Sequence, residues 1–258
     1  MDEIIERLQF LNSAGIMLDA KLNLPETKPI AYVVLAHCFA TSKELIAEAR
    51  IASALTRANM AVLRFDFTGL GKSGGDFSET NFTSNVGDIL AAADYLKEHY
   101  EAPKLLIGHS LGGTAILAAA EKIESAVAIS TIGAPAHPSH IIHHFEEHLD
   151  EIKEKGEVQV ELGGRPFFIK KQFIDDVEKS DILGIVANLK KSLLIFHSPM
   201  DTVVSIDEAR KLYEAAKHPK SFISLDKANH LLTNKDDAIY VARVLSAWAS
   251  RYLGVSAD

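Results

Sequence analysis

The sequence predicts an α/β fold with a mostly parallel central sheet, helices on both faces of that sheet and an inserted cap. Short, almost continuously apolar runs alternate with longer stretches of helical periodicity along most of the chain. Continuous apolar runs are typical of parallel strands that are covered on both faces. Strand–helix alternation in turn favours right-handed crossovers within one parallel sheet. The 258 residues suit a single domain over 1–258 with a large core.

The chain is expected to begin with an antiparallel hairpin. Leu8 and Phe10 indicate a first strand, residues 12–15 have turn composition, and apolar residues alternate with mostly polar ones from Ile16 to Leu24. Alternation with a period of two predicts a strand with one buried face. This hairpin would add an antiparallel edge to the sheet.

Six strands and five helices are expected in the alternating part of the chain. The predicted strands are Ala31–Ala36, Ala61–Phe65, Lys104–Ile107, Ala126–Ile132, Leu193–Phe196 and Ser221–Leu225. The predicted helices cover residues 43–58, 84–98, 111–124, 205–217 and 235–252. Together these elements account for the layers of one α/β domain.

Residues 136–190 break this alternation and are expected to form the cap. The segment contains a histidine-rich helical stretch, then a hairpin, then another helix. The hairpin is predicted from Glu157–Leu162 and Arg165–Phe173, with its turn at Gly163-Gly164. We interpret the segment as an insertion between two strands of the main sheet.

The cap histidines raise the question of a metal site. His140, His144 and His148 are spaced four residues apart and would share one face of an α-helix. No neighbouring cysteine or second ligand cluster completes a set of metal ligands. A solvated or pocket-lining face is therefore favoured, and no metal is expected.

Composition and charge bear on the partners and the compartment. The net charge of -8 and the sequence pI of about 5.8 argue against nucleic-acid and anionic-membrane partners. Cys38 is the single cysteine, so no intrachain disulfide can form and a reducing compartment is expected. The acidic N-terminus lacks the apolar segment of a signal peptide, and the longest apolar runs are strand-sized. We therefore expect a cytoplasmic protein.

The run Gly108–Gly112, of sequence GHSLG, predicts that Ser110 is a nucleophile. The run lies between a predicted strand that ends at Ile107 and a helix that begins at Leu111. In a G-x-S-x-G motif the serine occupies a tight, strained turn whose flanks accommodate only glycine. The turn lifts the hydroxyl above the carboxyl edge of the sheet, where α/β active sites form. The following helix directs its N-terminal dipole towards developing negative charge.

An acid and a base are expected downstream of this serine. A serine hydroxyl needs a histidine base, and a carboxylate must orient that base. In folds with this turn, the chain order is serine, acid, histidine. Asp201 follows the strand Leu193–Phe196, and His230 lies on the loop after the strand Ser221–Leu225. The predicted catalytic triad is therefore Ser110, Asp201 and His230.

Four other residues have weaker claims to these roles. Asp226 is interpreted as a loop carboxylate at its own strand end, and His218 as a solvent-facing residue at a helix end. His197 ends a strand and could line the pocket. His109 lies inside the serine turn and is expected to pack and to form hydrogen bonds.

Two backbone N–H groups are expected to form an oxyanion hole. Leu111 supplies one because it follows the nucleophile, and the loop after the strand Ala31–Ala36 supplies the other through Phe39. The side chain of Phe39 would then form one wall of the acyl pocket. Cys38 beside it is interpreted as a small buried residue, with a redox-sensitive thiol as the alternative.

The glycine-rich run Gly69–Gly74 has the form G-x-G-x-x-G. In a dinucleotide site a helix would begin within these glycines. Here the loop continues through residues 74–78, so Asp66, Gly69 and Gly71 are expected to shape a loop beneath the active site. No nucleotide cofactor is expected.

These motifs resemble the α/β-hydrolase superfamily, and within it the hydrolase half of bacterial hydrolase–OsmC fusion proteins. The runs that carry the resemblance are His37–Phe39, Leu63–Gly71, Gly108–Gly112, Gly164–Phe167 and His218–Phe222. The resemblance covers nearly the whole chain and implies an α/β-hydrolase fold, an esterase-like activity, the same triad and a cytoplasmic bacterial origin. Ala40-Thr41 departs from the Thr-Cys of these relatives, and no OsmC domain follows up to Asp258. A peroxidase role is therefore not expected.

The function expected from the sequence is hydrolysis of small-molecule carboxylic esters with short to medium acyl groups. His230 would take the Ser110 proton, and an acyl-enzyme would form and be hydrolysed, with neither a metal nor an organic cofactor. The same triad could cleave amides, thioesters or peptides. A hydrolase-fold protein that only binds a small molecule or a partner is the remaining alternative, and an intact triad argues against it.

Overall fold

Ten strands are present in the computed structural model, which describes residues 3–162 and 164–254. Their bounds are β1 (Ile4–Leu11), β2 (Met17–Leu24), β3 (Ala31–Ala36), β4 (Met60–Phe65), β5 (Leu105–His109), β6 (Ala128–Ile132), β7 (Glu157–Leu162), β8 (Arg165–Lys170), β9 (Ser192–His197) and β10 (Lys220–Ser224). Eight of them form the central sheet, in the order β1-β2-β4-β3-β5-β6-β9-β10. Strands β7 and β8 pair separately as an antiparallel hairpin.

Eight α-helices and two 3₁₀ helices lie within the same described residues. The α-helices are α1 (Ile46–Arg57), α2 (Phe82–His99), α3 (Leu111–Ala120), α4 (Leu149–Lys155), α5 (Lys171–Val177), α6 (Ile182–Asn188), α7 (Ile206–Ala215) and α8 (Lys235–Leu253). The 3₁₀ helices are Phe77–Glu79 and Pro138–His148. None of these helices combines the length and the hydropathy needed to cross a membrane.

The predicted α/β fold is confirmed. Strands β1, β2 and β4 pair in antiparallel fashion, and the other neighbouring strands of the sheet are parallel. Helices α1 and α8 cover one face of the sheet, whereas α2, α3, α6 and α7 cover the other. Strand β3 is buried throughout because Val33 points into one core and Val34 into the other. The carboxyl ends of the parallel strands consequently meet at one edge, where the candidate site lies.

The hairpin between β6 and β9 differs in detail from the prediction. Strand β8 ends at Lys170 because the next residues form α5, which buries Phe173, Ile174 and Val177. Two helices, α5 and α6, therefore follow the hairpin where a single helix was predicted. Gly163 of the predicted turn lies outside the described residues.

The predicted common face of the cap histidines is wrong. The histidine-rich stretch is a 3₁₀ helix, and Phe145 departs from helical backbone at φ -142°. Residues three apart eclipse one another in a 3₁₀ helix, so the rings of His140 and His143 lie 5.3 Å apart. His144 and His148 therefore do not continue a four-residue stripe from His140.

Polar contacts connect the segment between β6 and β9 to the rest of the domain. The backbone N–H and the hydroxyl of Thr83 donate to the Asp176 carboxylate at 2.7 and 2.8 Å. Lys170 forms an ion pair with Glu79. Helix α5 and the hairpin thus contact the start of α2 and the 3₁₀ helix before it.

The glycine-rich run wraps around a buried carboxylate. Asp66 accepts hydrogen bonds from the backbone N–H and the Nζ of Lys43, at 2.7 and 2.5 Å. A Cβ added to Gly71 would lie 2.2 Å from the Asp66 carboxylate, and one added to Gly69 would lie 2.2 Å from the backbone of Phe77. The run therefore forms the predicted loop around Asp66, and no α-helix begins within it.

Replacement of Lys43 tests how strongly this loop depends on its buried ion pair. The side chains of Lys43 and Asp66 are only 1% exposed, so Lys43→Met leaves the buried Asp66 carboxylate without its counter-ion, and it also removes the ion pair of Lys43 with Asp19. Breaking such a pair typically costs about 3–5 kcal/mol, and we expect a loss of that size in urea unfolding. Lys28→Met is the matched control, because its ion pair with Glu101 is exposed. Equal stability of the two variants would contradict this account.

Candidate active site

Ser110 lies on a strained turn between β5 and α3. Its φ of 54° and ψ of -129° fall in a region that residues with a Cβ rarely adopt. The Ser110 N–H donates to the carbonyl of Ile132 at 2.8 Å, which ties the turn to the end of β6. Such strain persists only when the surrounding structure holds it in place.

The flanking glycines allow the packing that holds this turn. A Cβ added to Gly108 would lie 2.4 Å from the carbonyl oxygen of Gly112. A Cβ added to Gly112 would lie 2.2 Å from the carbonyl oxygen of His37. The second contact presses the serine turn against the loop that follows β3. The spacing of the motif is therefore a packing requirement as well as a chemical one.

The structure brings the three predicted triad residues together. Ser110 Oγ lies 3.0 Å from His230 Nε2, and His230 Nδ1 lies 2.7 Å from Asp201 Oδ2. Because a carboxylate only accepts hydrogen bonds, His230 Nδ1 carries the proton and Nε2 is left to accept one from Ser110. Gly133 adjoins both residues at a φ of 55°, which favours glycine, and a Cβ there would lie at ordinary contact distance, 3.4 Å, from Asp201 and His230.

The loop after β9 holds the Asp201 carboxylate in its ionised form. Asp201 Oδ1 accepts hydrogen bonds from the backbone N–H groups of Val203 and Val204, at 2.8 and 2.9 Å. Burial alone would raise the pKa of Asp201, but the hydrogen bond from His230 and those from the backbone outweigh it and lower the pKa. The backbone thus holds the carboxylate through Oδ1, and Oδ2 remains available to accept the hydrogen bond from His230.

Two backbone donors flank Ser110 without protein partners. Within residues 3–162 and 164–254, neither the N–H of Phe39 nor that of Leu111 has a hydrogen-bond acceptor. Leu111 follows Ser110 directly, and the contact of Gly112 with His37 places the Phe39 loop beside the turn. Unpaired donors in a partly buried site are available to a ligand oxygen.

A small apolar pocket adjoins these donors. Its lining is mostly apolar and also includes two polar side chains: Phe39, Phe67, Leu70, Phe77, Leu111, Gly112 and Ala115, with His37 and Asn85. The Phe39 ring lies 5.6 Å from both Phe77 and Phe173, and Phe77 lies 4.7 Å from Phe167. Phe167 and Phe173 belong to β8 and α5, so aromatic side chains connect the pocket to the segment between β6 and β9.

Histidines of the segment between β6 and β9 also lie near the triad. His140 Nε2 donates to the carbonyl of Val203 at 3.0 Å, next to the acid loop. Partial burial and the charges of His140, His230 and His143 lower the pKa of His144. The histidine-rich helix therefore lies close to the His230 side of the site.

Of the rival residues, Asp226 and His218 lie at the surface, whereas the buried His197 places its Nε2 3.7 Å from Asp201 Oδ2. Asp226 is exposed and accepts a hydrogen bond from the Ser224 hydroxyl at 2.7 Å, and His218 is exposed. His197 does not line the pocket as the sequence suggested. It is fully buried and donates from Nε2 to the Val204 carbonyl at 2.8 Å, because it packs beneath the acid loop.

Glu48 is a buried residue near the site that the sequence analysis missed. Its carboxylate lies 3.3 Å from His109 Nδ1, and His109 Nε2 donates to the His230 carbonyl at 2.7 Å. Burial alone would lower the pKa of His109, but Cys38 and Glu48 beside it raise that pKa well above its ordinary value. A signal existed in the sequence: Glu48 occupies the apolar stripe of α1 that buries Ile51.

A strained serine turn, a hydrogen-bonded histidine and carboxylate, and a mostly parallel sheet define an α/β-hydrolase. Residues 27–183 match the Hydrolase_4 family, described as serine aminopeptidase, S33. The match covers more than half of the chain, and the chain therefore belongs to this family.

Two solved structures illustrate the likeness. The esterase domain from a Rhodothermus marinus protein is 46% identical, with a TM-score of 0.80, and the match covers 97% of this chain and 100% of that one. Est1E from Butyrivibrio proteoclasticus, solved with ferulic acid bound, is 20% identical with a TM-score of 0.79. That match covers 96% of this chain and 100% of Est1E. At this identity Est1E shares the fold, which says nothing of the substrate.

A curated relative is the mouse mitochondrial palmitoyl-protein thioesterase ABHD10. It is 27% identical over 184 residues, which are 69% of this chain. The match spans 61% of the mouse protein's own length.

The lowered pKa of Asp201 predicts a pH-dependent contribution to stability. A carboxylate with a depressed pKa stabilises the fold above its unfolded pKa of about 3.9, and this stabilisation is lost as the pH falls through the folded value. We therefore expect Asp201→Asn to be less stable than the wild type at pH 7, with a smaller difference at pH 3. Urea unfolding of both proteins at the two pH values measures this. A difference that is constant with pH would contradict the ionised state of Asp201.

Proposed function

We propose that the protein is a serine hydrolase that cleaves carboxylic esters, with Ser110 as nucleophile, His230 as base and Asp201 as the orienting acid. The observation that carries the proposal is the hydrogen-bonded chain from Ser110 through His230 to Asp201, at 3.0 and 2.7 Å. Serine acyl transfer requires this arrangement. The 46% identical esterase domain supports an ester as the bond that is cleaved.

Acylation follows from the positions of the three side chains. His230 Nε2 takes the hydroxyl proton as Ser110 Oγ attacks the ester carbonyl carbon. Asp201 stabilises the resulting imidazolium through Nδ1–H and stays ionised. Collapse of the tetrahedral intermediate breaks the C–O bond to the alcohol, which leaves with the proton from His230. The acyl group remains on Ser110 until a water, activated by His230, hydrolyses it.

The N–H groups of Phe39 and Leu111 are proposed to bind the oxyanion of both tetrahedral intermediates. Their lack of acceptors in the described residues supports this role. Each such donor contributes about 10²–10³ to the rate in a well-studied protease, because it is aimed at charge that develops only in the transition state. The dipole of α3 adds to this field.

The pocket of aromatic and aliphatic side chains is proposed to receive the acyl group. It adjoins Leu111 and Phe39, so an acyl carbonyl held by their N–H groups would direct its chain into the pocket. Residues 136–190 are proposed to act as the cap over this pocket. The contacts of Phe167 and Phe173 with pocket side chains support that assignment. We propose an apolar acyl group of short to medium length as the substrate class.

Thioester and amide hydrolysis are the second candidate functions. The likeness to the mouse thioesterase favours thioesters, and the family description favours amide or peptide bonds. The same triad and oxyanion donors serve all three reactions. Measuring kcat/KM for an ester, a thioester and an amide that carry the same acyl group would rank the three candidate reactions.

The proposal also includes a setting for the enzyme. We infer that the chain is related to the hydrolase half of bacterial hydrolase–OsmC fusions and acts in the cytoplasm on small-molecule esters. The motif runs His37–Phe39 and Leu63–Gly71 support the relationship, as does a relative that is itself an esterase domain of a Rhodothermus marinus protein. The single cysteine supports a reducing compartment.

Substitutions at the two candidate acids and at the serine test the triad. On a p-nitrophenyl ester series we expect Ser110→Ala to reduce kcat by about 10⁶-fold and Asp201→Asn by about 10⁴-fold. Asp226→Asn is the matched control, because it removes a loop carboxylate that lies outside the site. It should retain the wild-type kcat. Wild-type rates in Ser110→Ala, or a larger loss in Asp226→Asn than in Asp201→Asn, would refute the assignment.

Two neighbouring phenylalanines on β8 test the role of the cap. Phe167 contacts the pocket through Phe77, whereas Phe168 is 49% exposed on the other face of the strand. We expect Phe167→Ala to open the pocket and shift kcat/KM towards longer acyl chains by about 10-fold. Phe168→Ala should leave the chain-length profile unchanged. Identical chain-length profiles in the two variants would contradict a role of the cap hairpin in the acyl pocket.

A further inference from the structure

Cys38, Glu48 and His109 form a buried cluster beneath the serine turn. Cys38 is 4% exposed, and the side chains of Glu48 and His109 are 1% exposed. Cys38 Sγ lies 3.6 Å from His109 Nδ1 and 3.9 Å from Glu48 Oε1, and these two atoms are 3.3 Å apart. The proposed reaction assigns a role to none of these three side chains.

The hydrogen bond on the far side of the His109 ring fixes its tautomer. Nε2 lies 2.7 Å from the His230 carbonyl oxygen, which only accepts, so Nε2 carries a proton. In a neutral ring, Nδ1 then presents a lone pair to the Glu48 carboxylate, which is also an acceptor. Two acceptors 3.3 Å apart repel each other unless a proton or a metal ion lies between them.

We propose that this cluster is a zinc site, with Cys38 Sγ, His109 Nδ1 and the Glu48 carboxylate as the protein ligands. A point equidistant from the three ligand atoms lies about 2.1 Å from each of them, given their separations. Zinc bonds to sulfur, imidazole nitrogen and carboxylate oxygen span roughly 2.0–2.3 Å, so the atoms already stand at coordination distances.

The second oxygen of Glu48 supports the assignment independently. Within residues 3–162 and 164–254, Glu48 Oε2 is buried and has no hydrogen-bond donor. An unpaired buried carboxylate oxygen is costly, and bidentate binding to zinc would satisfy it. The donor atoms would then be one sulfur, one nitrogen and two oxygens from three residues, all of them atom types that bind zinc in proteins.

Charge and surroundings also fit zinc. The Cys38 thiol would release its proton to solvent on binding, and the thiolate and the Glu48 carboxylate then neutralise the dication. A zinc-binding histidine usually donates its other N–H to a backbone carbonyl or a carboxylate. His109 does this with the carbonyl of His230.

A proton on His109 Nδ1 is the competing occupant of the same position. It would bridge Nδ1 and Glu48 Oε1 but would leave Glu48 Oε2 without a donor. Zinc accounts for both carboxylate oxygens, and it revises the sequence-based expectation that the protein binds no metal. The ion would join the loop after β3, helix α1 and the end of β5, because Cys38, Glu48 and His109 lie on these three elements.

Metal content measured on the intact chain tests the site. Because the ligands are buried, zinc would enter before folding is complete, so the protein is expressed with added zinc and then dialysed against a chelating resin. We expect about one equivalent of zinc per chain. Cys38→Ser and Glu48→Gln should lose most of it, whereas His140→Ala, which changes a cap histidine outside the cluster, should retain it.

Cobalt supplies a second readout that is independent of activity. Chain expressed with cobalt should show a thiolate-to-cobalt charge-transfer band in the near ultraviolet, and Cys38→Ser should lack that band. Zinc below about a tenth of an equivalent in folded wild type would overturn the proposal and establish the proton-bridged cluster. Zinc that survives in Cys38→Ser and Glu48→Gln would overturn it as well. The zinc content of the wild type is decisive by itself, so a variant that fails to fold does not prevent the test. Esterase activity is measured separately, so failure of the zinc proposal leaves the proposed function unaffected.

Discussion

The close packing of the serine turn against the loop after β3 is the constraint on which the rest of the site depends. Gly112 approaches the carbonyl of His37 so closely that a Cβ would lie 2.2 Å away. This contact helps to hold Ser110 at a φ of 54° and places the loop that carries Phe39 beside the serine turn. A larger residue at position 112 would separate the nucleophile from its proposed oxyanion donors. Backbone strain and catalytic geometry are thus maintained by the same packing.

Much of this arrangement could be predicted because parallel strands restrict where loops can go. The apolar run Ala31–Ala36 has the bounds of β3 and is buried throughout, because both of its faces are covered. The loops that follow parallel strands emerge at one edge, so Ser110, Asp201 and His230 are brought together although they are far apart in sequence. The site could therefore be predicted from the order of the three residues along the chain and from their positions after strand ends.

Other features depend on tertiary packing that the local sequence does not encode. The histidine-rich stretch has the composition of an α-helix, but burial of Ile141 and Phe145 accompanies a kinked 3₁₀ helix. His197 ends a strand at the active-site edge, yet it is buried beneath the acid loop. Glu48 was not predicted, because its contacts with Cys38 and His109 arise only when α1 comes against the end of β5 and the loop after β3.

The central claim is that Ser110 carries the acyl group during turnover. Rapid acid quench during the hydrolysis of a p-nitrophenyl ester, followed by peptide mass spectrometry, measures this directly. We expect a mass increase equal to one acyl group on the peptide that contains Ser110, at a level that falls as substrate is consumed. Turnover at the wild-type rate with no acylated peptide, or with the acyl group on a different residue, would contradict it.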